Sequence, residues 1–467
     1  MNASLRIQTI LILAALVLSA CSPFAPAVRS FAEDPLPESF SLYPVQAPDP
    51  APWWTALNSS ALNGLLGQAF AGNLSLKQAW ARMEQARAVA VKAGADLYPD
   101  LSVTGRTNHA RQRSENGSAD RFTTRNYAIG LSTSYEIDLW GRIRSGQKAE
   151  SLTAEAARED WHATVIALAA DVATTWAEIL SRQMQRRLLE KQLETNRTYL
   201  ELVDLRYRKG IVTALDVFQQ QQVVEEIRSQ IPVVEAQERL RRNQLAVLLG
   251  QAPGTELTIG AENLPTLEPL PAAGLPADLL ANRPDVRAAG LRLEAADWQL
   301  AAARANRLPA ISLTGTAGYG PADMDLMLDN WILSLASNLA APILDGGQRA
   351  AEVDRSRAVI AENLAAYRES VLVAIREVED ALASELYQRR YIAALERQLE
   401  AARHALVEAR EQYRKGVDDY LPVLTQIVAV QNLERNLIEQ QTQLLIDRID
   451  LFEALGGNWA GTVVAEK

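Results

Sequence analysis

Residues 206–217 read RYRKGIVTALDV, and residues 412–423 read QYRKGVDDYLPV. Pairs at an offset of 206 residues run from Gly141/Gly347 through Tyr207/Tyr413 and Gly210/Gly416 to Gly250/Gly456, with no insertion between them. A chain with this pattern holds two copies of one long structural unit. The unit is mainly helical. No Gly or Pro interrupts Gln147 to Lys209 or Gln348 to Lys415, and Trp161, Val165, Leu168, Val172, Trp176 and Ile179 step by threes and fours. Sixty-odd helical residues reach roughly 95 Å, wider than a globular core. Each helix ends at RKG, where Gly210 or Gly416 suits the left-handed C′ position, and the chain then returns as a shorter helix. Two antiparallel coiled-coil hairpins are expected, at 141–250 and 347–456.

The return helices start at recognisable caps. Thr213 with Asp216 resembles a capping box, and Asp419 before a first-turn Pro422 is expected to cap the second return helix. Pro232 is expected to bend the first; Ile438 stands at the matching place in the second.

Ahead of each hairpin the period changes from helix to strand. Tyr127, Ile129, Leu131, Thr133 and Tyr135 alternate with Ala128, Gly130, Ser132, Ser134 and Glu136. A partner runs from Leu101 and Val103 to His109, with the polar segment Gln112 to Arg125 joining the two. In the second half Ile311, Leu313, Gly315, Ala317 and Tyr319 alternate with small or polar residues, and Trp331 to Ala341 supplies a fourth strand. Strands of about 9 to 11 residues with one apolar and one small or polar row have the length and dyad pattern of a transmembrane β-barrel. Four strands cannot close one, so a membrane-spanning wall requires several copies of the chain.

The N-terminus carries an address. Arg6 precedes the apolar run Ile10 to Leu18, which is too short to span a bilayer and suits a secretory signal at 1–20. It ends in Leu18-Ser19-Ala20-Cys21, which resembles a bacterial lipobox; Cys21, the only cysteine, is then the lipidated first residue of the mature chain. Ser22 stands where Asp would signal inner-membrane retention, so the outer membrane is expected. Eight prolines between Pro23 and Pro52 mark residues 21–52 as an extended tether, closed by the packing anchor Trp53-Trp54. The first repeat takes 53–250 with its strand pair at 101–137. A proline-rich equatorial linker takes 251–282, the second repeat 283–456 with strands at 310–341, and a tail 457–467.

Several function classes are disfavoured. With 57 acidic against 47 basic residues and no Lys/Arg-rich block, nucleic acid is not expected as a partner. His109, His162 and His404 lack metal-ligand spacing, and neither a phosphate loop nor a nucleophile elbow is present, so no metal, cofactor or enzymatic activity is expected beyond the covalent lipid on Cys21.

The order of helix, strand pair, long helix, tip and return helix, run twice, resembles the TolC family of outer-membrane efflux factors, in its lipidated OprM/NodT-like branch. The likeness rests on Cys21, NLSLKQAWARMEQARA at 73–88, YEIDLWGRIR at 135–144, NRPDVRAA at 282–289, PILDGGQR at 342–349 and both YRKG tips. The resemblance implies a homotrimer in the outer membrane, with three sets of four strands forming a 12-stranded barrel and the hairpins an α-barrel across the periplasm. It also implies a periplasmic adaptor and an inner-membrane pump as partners, and a tunnel that carries small molecules, whether drugs, other toxic compounds or metal ions, to the exterior. Arg208, Lys209, Gly210, Ile211 and Val212 of the first tip, with Lys415, Gly416 and Val417 of the second, are the expected adaptor-docking surface. Asp418 and Asp419, which face Val212 and Thr213 across the repeat, are the candidates for an acidic ring at the tunnel entrance. A type I protein-secretion channel is an alternative, and a periplasmic adaptor lipoprotein a weaker one, since that class carries one hairpin between β-rich modules.

Overall fold

The computed structural model describes residues 23–27, 37, 39–41, 53–113, 121–260, 263–267, 269–270, 276–322 and 328–457. Cys21 and the signal segment lie outside the described residues. In chain order, a 3-10 turn at Trp53–Leu57 leads into α1 (Ser60–Gly72) and α2 (Leu74–Ala95), then β1 (Asp100–Arg113), β2 (Arg121–Ile137), α3 (Arg142–Arg208) and α4 (Ala214–Leu248). A second 3-10 turn at Pro276–Asp278 and the short α5 (Leu279–Asn282) open the second half. They are followed by α6 (Pro284–Ala305), β3 (Ala310–Ala322), β4 (Trp331–Ala340), α7 (Gln348–Arg414) and α8 (Tyr420–Leu455). Both long helices, α3 and α7, contain 67 residues, so the repeat read in the sequence is a repeat of elements.

Packing divides the chain into two units that cut across the repeats. One takes residues 1–34, 81–158 and 288–369; the other takes 35–80, 159–287 and 370–467. Within the first unit, Leu293, Ala296, Leu300 and Ala303 of α6 pack against Val353 and Ile360 of α7. Pro23 to Ala27 line a cleft there with Leu300, Arg304, Arg357 and Ile360. The four strands of this unit form one antiparallel sheet in the order β1-β2-β3-β4. Opposed residues share a face, so the register Leu101↔Thr133, Val103↔Leu131 and Gly105↔Ile129 continues across β3 through Leu131↔Ala317 and Ile129↔Tyr319. On β4 the same row holds Leu333, opposite Ala317, and Trp331, opposite Tyr319.

The strand ends differ from the expected ones. Gln112, Arg113 and Arg121 to Arg125 were expected in a polar connection, yet they pair as Gln112↔Phe122, Arg113↔Arg121 and His109↔Arg125. The ladder is made by backbone groups, which continue to pair after the side-chain alternation has stopped being apolar.

In the second unit the core is helical. Trp161, Val165, Val172, Trp176 and Ile179 of α3 are all but excluded from solvent, together with Leu62 and Leu66 of α1 and Leu445 and Ile449 of α8. The stripe at steps of three and four is therefore the buried face. Trp53 stacks on Phe452 at 5.2 Å and Trp54 meets Phe70 at 5.8 Å, which makes the tryptophan pair the packing anchor expected of it. Ser59 caps α1 by accepting from Leu62 N at 3.2 Å. Asn73 both accepts from Leu76 N at 2.8 Å, starting α2, and donates to the Leu248 carbonyl at 2.8 Å, tying the end of α4 to the same corner. Gly250 follows α4 with φ +73°, and a Cβ there would fall 2.2 Å from the Gly72 carbonyl oxygen, so no larger residue fits. From Tyr199 and Val203 to Leu424 and Ile427 a further cluster holds the tips of the two hairpins together.

Candidate functional site: hairpin tips and sheet wall

Each long helix ends in the same hydrogen-bonded turn. Ile211 N donates to the Arg206 carbonyl at 3.0 Å and Gly210 N to Tyr207 at 2.8 Å; Val417 N donates to Gln412 at 3.0 Å and Gly416 N to Tyr413 at 3.1 Å. This is a Schellman closure. It places Gly210 at φ +70° and Gly416 at φ +72°, in the left-handed region that a Cβ disfavours. The RKG repeat is thus a repeat of one helix stop.

The two return helices begin differently. Thr213 and Asp216 form the full capping box, with Thr213 N donating to the Asp216 carboxylate at 2.8 Å. Asp419 occupies the N-cap position of α8, but its side chain makes no cap hydrogen bond, contrary to the capping expected of it. Both Asp418 and Asp419 are exposed, so the two carboxylates stand in solvent at the tip. Arg208, Lys209, Gly210 and Ile211 are exposed, as are Lys415, Gly416 and Val417, whereas Val212 is half-buried against the core between the hairpins. Pro232 lies within α4, which continues through it as one helix.

The copies of the repeat touch each other. Arg206 sits over the Tyr413 ring at 4.3 Å, and Tyr413 packs on Tyr420 at 5.4 Å. Tyr420 donates from its hydroxyl to Gln220 Oε1 at 2.7 Å, and Gln220 Nε2 donates to the Asn196 carbonyl at 2.9 Å. Burial pushes the Tyr420 phenol well above its usual range, with Tyr413, Tyr199 and Asp216 adding to the rise, so it stays a neutral donor. Farther from the tip, Arg435 of the second copy donates to Gln192 of the first at 2.6 Å, and within the second copy Arg403 pairs with Glu434 at 2.8 Å. These links were not identified from the sequence, although Gln192 and Asn196 interrupt the apolar stripe of α3 and thereby signal buried polar contacts.

In the sheet, the apolar row faces solvent. Leu101, Val103, Ile129, Leu131, Leu333 and Leu335 are all exposed, Leu335 at 82%. β1 and β4 pair on one side only among the described residues. A model of the outer membrane efflux protein family matches residues 65–251 and 275–457, one segment in each half of the chain. The chain belongs to that family. A pyoverdine export outer membrane protein of Pseudomonas putida, OpmQ, is 32% identical over 453 residues, with 95% of this chain and 96% of the relative covered. The toluene efflux pump outer membrane protein TtgI of Pseudomonas putida is 32% identical over 413 residues, covering 86% of each. A crystal structure of a membrane protein from Pseudomonas aeruginosa superposes with a TM-score of 0.87 at 31% identity, covering 96% of this chain and all of the other.

For an outer membrane efflux protein the exposed apolar row of the sheet is the expected face toward lipid. The NRPDVR motif has a physical job within the helical unit. Arg283 pairs with Asp285 and Glu377, each at 2.7 Å, and donates to the Ala454 carbonyl at 3.0 Å, clamping α7 and the end of α8 to the start of α6. Arg287 pairs with Glu159 at 2.5 Å, which also lies 3.4 Å from the buried His162. A buried pair, Arg448 with Glu385 at 2.6 Å, joins α8 to α7. His162 thus lies beside the Arg287–Glu159 ion pair, and among the described residues no group of His, Cys, Asp and Glu is arranged to hold a metal.

Proposed function

We propose that this protein is the outer-membrane channel of a tripartite efflux system, a homotrimer that carries small molecules from an inner-membrane pump and a periplasmic adaptor to the exterior. The observation that carries the reading is the four-stranded sheet with an exposed apolar row and two edges. In hydrocarbon an open edge leaves backbone groups unsatisfied at several kcal/mol each, so the wall must close on further copies, and three copies give twelve strands. Within this reading Arg208 to Ile211 and Lys415 to Val417 are the exposed surface offered to the adaptor, while Asp418 and Asp419 form a carboxylate ring at the entrance. Cys21 carries the lipid anchor, and no further cofactor and no catalytic step is assigned.

The cargo is a small molecule on the strength of two relatives whose names specify pyoverdine and toluene. The breadth between them argues that the partner pump selects cargo. The test is export in a host lacking its own channel. Expression together with a cognate adaptor and pump restores extrusion of the pump's small-molecule substrate, and export of a polypeptide without small-molecule extrusion favours the secretion reading instead.

A further inference from the structure

Four arginines and a histidine stand at the far end of the β1–β2 hairpin, and all five occupy one row of the register. Opposed residues place His109 with Arg125, Arg111 with Thr123 and Arg113 with Arg121, and this row is continuous with Val103↔Leu131 and Thr107↔Tyr127. The other row holds Asn108↔Asn126 and Ala110↔Thr124, with Arg106 its one cation. Arg111 and Arg125 therefore extend the lipid-facing row, and Arg113 and Arg121 follow them in its register. His109, Arg111 and Arg125 are exposed, and no ion pair joins Arg111 or Arg125 to a carboxylate among the described residues.

The height at which the charge begins matters. From Ile137 to Tyr127 the lipid-facing row of β2 advances ten residues; at about 3.4 Å each and a tilt of about 40°, the rise is roughly 25 Å, the height of the apolar band of an outer-membrane barrel. Tyr127, Tyr319 and Trp331 close that band with the aromatic girdle expected at an interface, Tyr319 lying opposite both Ile129 and Trp331. The rung His109↔Arg125 comes next, at headgroup level. Because the helices hang from the opposite ends of the strands, this level is the outer leaflet. The β3–β4 hairpin has no Lys or Arg from Ala310 to Ala340, so the cations are concentrated on one hairpin of the two.

We propose that the Arg111–Arg125 end of the β1–β2 hairpin binds the phosphate groups of a phosphorylated glycolipid in the outer leaflet. The inference rests on the barrel reading above. Guanidinium forks match phosphate oxygens in pairs, and their position directly above an apolar row lets one lipid satisfy both, acyl chains against Leu131 and Val103 and phosphates against the arginines. Each cation near an anionic surface strengthens attachment by about fivefold, so a row of several selects phosphorylated over neutral headgroups.

The test compares diphosphorylated lipid A with its dephosphorylated form, added to the full-length protein in detergent, bound lipids being counted by native mass spectrometry. Wild type is expected to prefer the diphosphorylated lipid by at least about tenfold. Arg111→Gln with Arg125→Gln reduces the preference, and adding Arg113→Gln and Arg121→Gln abolishes it, while Arg106→Gln on the other row keeps it. Equal binding of the two lipids by wild type, or an undiminished preference in the fourfold variant, overturns the proposal. Loss of the oligomer by that variant in lipid-free detergent also overturns it, because the arginines then bind the acidic β3–β4 connection of a neighbouring copy, which carries Asp323, Asp325 and Asp329. The same spectra report the number of chains, so an intact oligomer without phosphate preference sinks this inference alone, and single chains sink the barrel reading with it.

Discussion

Glu453, in the last turn of α8, shows how a single side chain is set by its neighbours. Burial, with Asp171, Asp450 and Glu377 close by and only Arg283 opposing, pushes its carboxyl from an ordinary 4.5 up to about 7. Between those values the folded chain holds a proton that the unfolded chain has released, so stability falls as pH rises through this window. Glu453→Gln is expected to flatten the pH dependence of the melting temperature between pH 4.5 and 7 and leave it unchanged below; an unaltered profile contradicts the placement. Asp418 and Asp419 are exposed at the second tip, and the Asp419 side chain makes no cap hydrogen bond. Asp418→Ala with Asp419→Ala is expected to lower cation preference in reconstituted bilayers, and the matched changes Val212→Ala and Thr213→Ala to leave it intact. Cation selectivity that survives the double Asp change places the ring elsewhere. The tip glycines and the Thr213 cap were legible in the sequence because their partners lie within five residues. Arg283 and Arg448 were not, since Glu377 and Glu385 lie far along the chain and only folding brings them near.

At the scale of elements, the two rows of the sheet must behave differently. Leu131 lies on the apolar row and Ser132 on the other, where its hydroxyl lies 2.7 Å from that of Ser102. Leu131→Arg is expected to destabilise the folded barrel by about 2 to 4 kcal/mol when placed near the bilayer midplane, whereas Ser132→Arg alters conductance and little else. Thermal melting in detergent beside single-channel recording checks both, and equal tolerance of the two changes argues against a lipid face. Strand existence was legible from the alternation of small and apolar residues, and helix existence from the steps of α3. Strand ends were not: from Gln112 to Arg125 the pattern turns polar while the backbone ladder persists. The basic row escaped notice for the same reason, because its meaning depends on which residues stand opposite one another.

For the molecule as a whole, the repeat announced two equal halves, yet the packing units each draw on both halves, because strand pairs gather with strand pairs and hairpins with hairpins. The repeats are units of sequence and the layers are units of packing. Attachment is a property at this scale as well: one lipid chain binds marginally, while several on one oligomer with an inserted barrel hold it permanently. Cys21→Ser is expected to abolish labelling by a fatty-acid probe, and retained labelling contradicts the lipobox. Closure of the wall is the claim on which channel, gate and lipid face all depend. It is tested most directly by the mass of the detergent-solubilised protein in light scattering, corrected for bound detergent. Three chains per particle is the predicted result, and a folded, stable particle of one chain would contradict it.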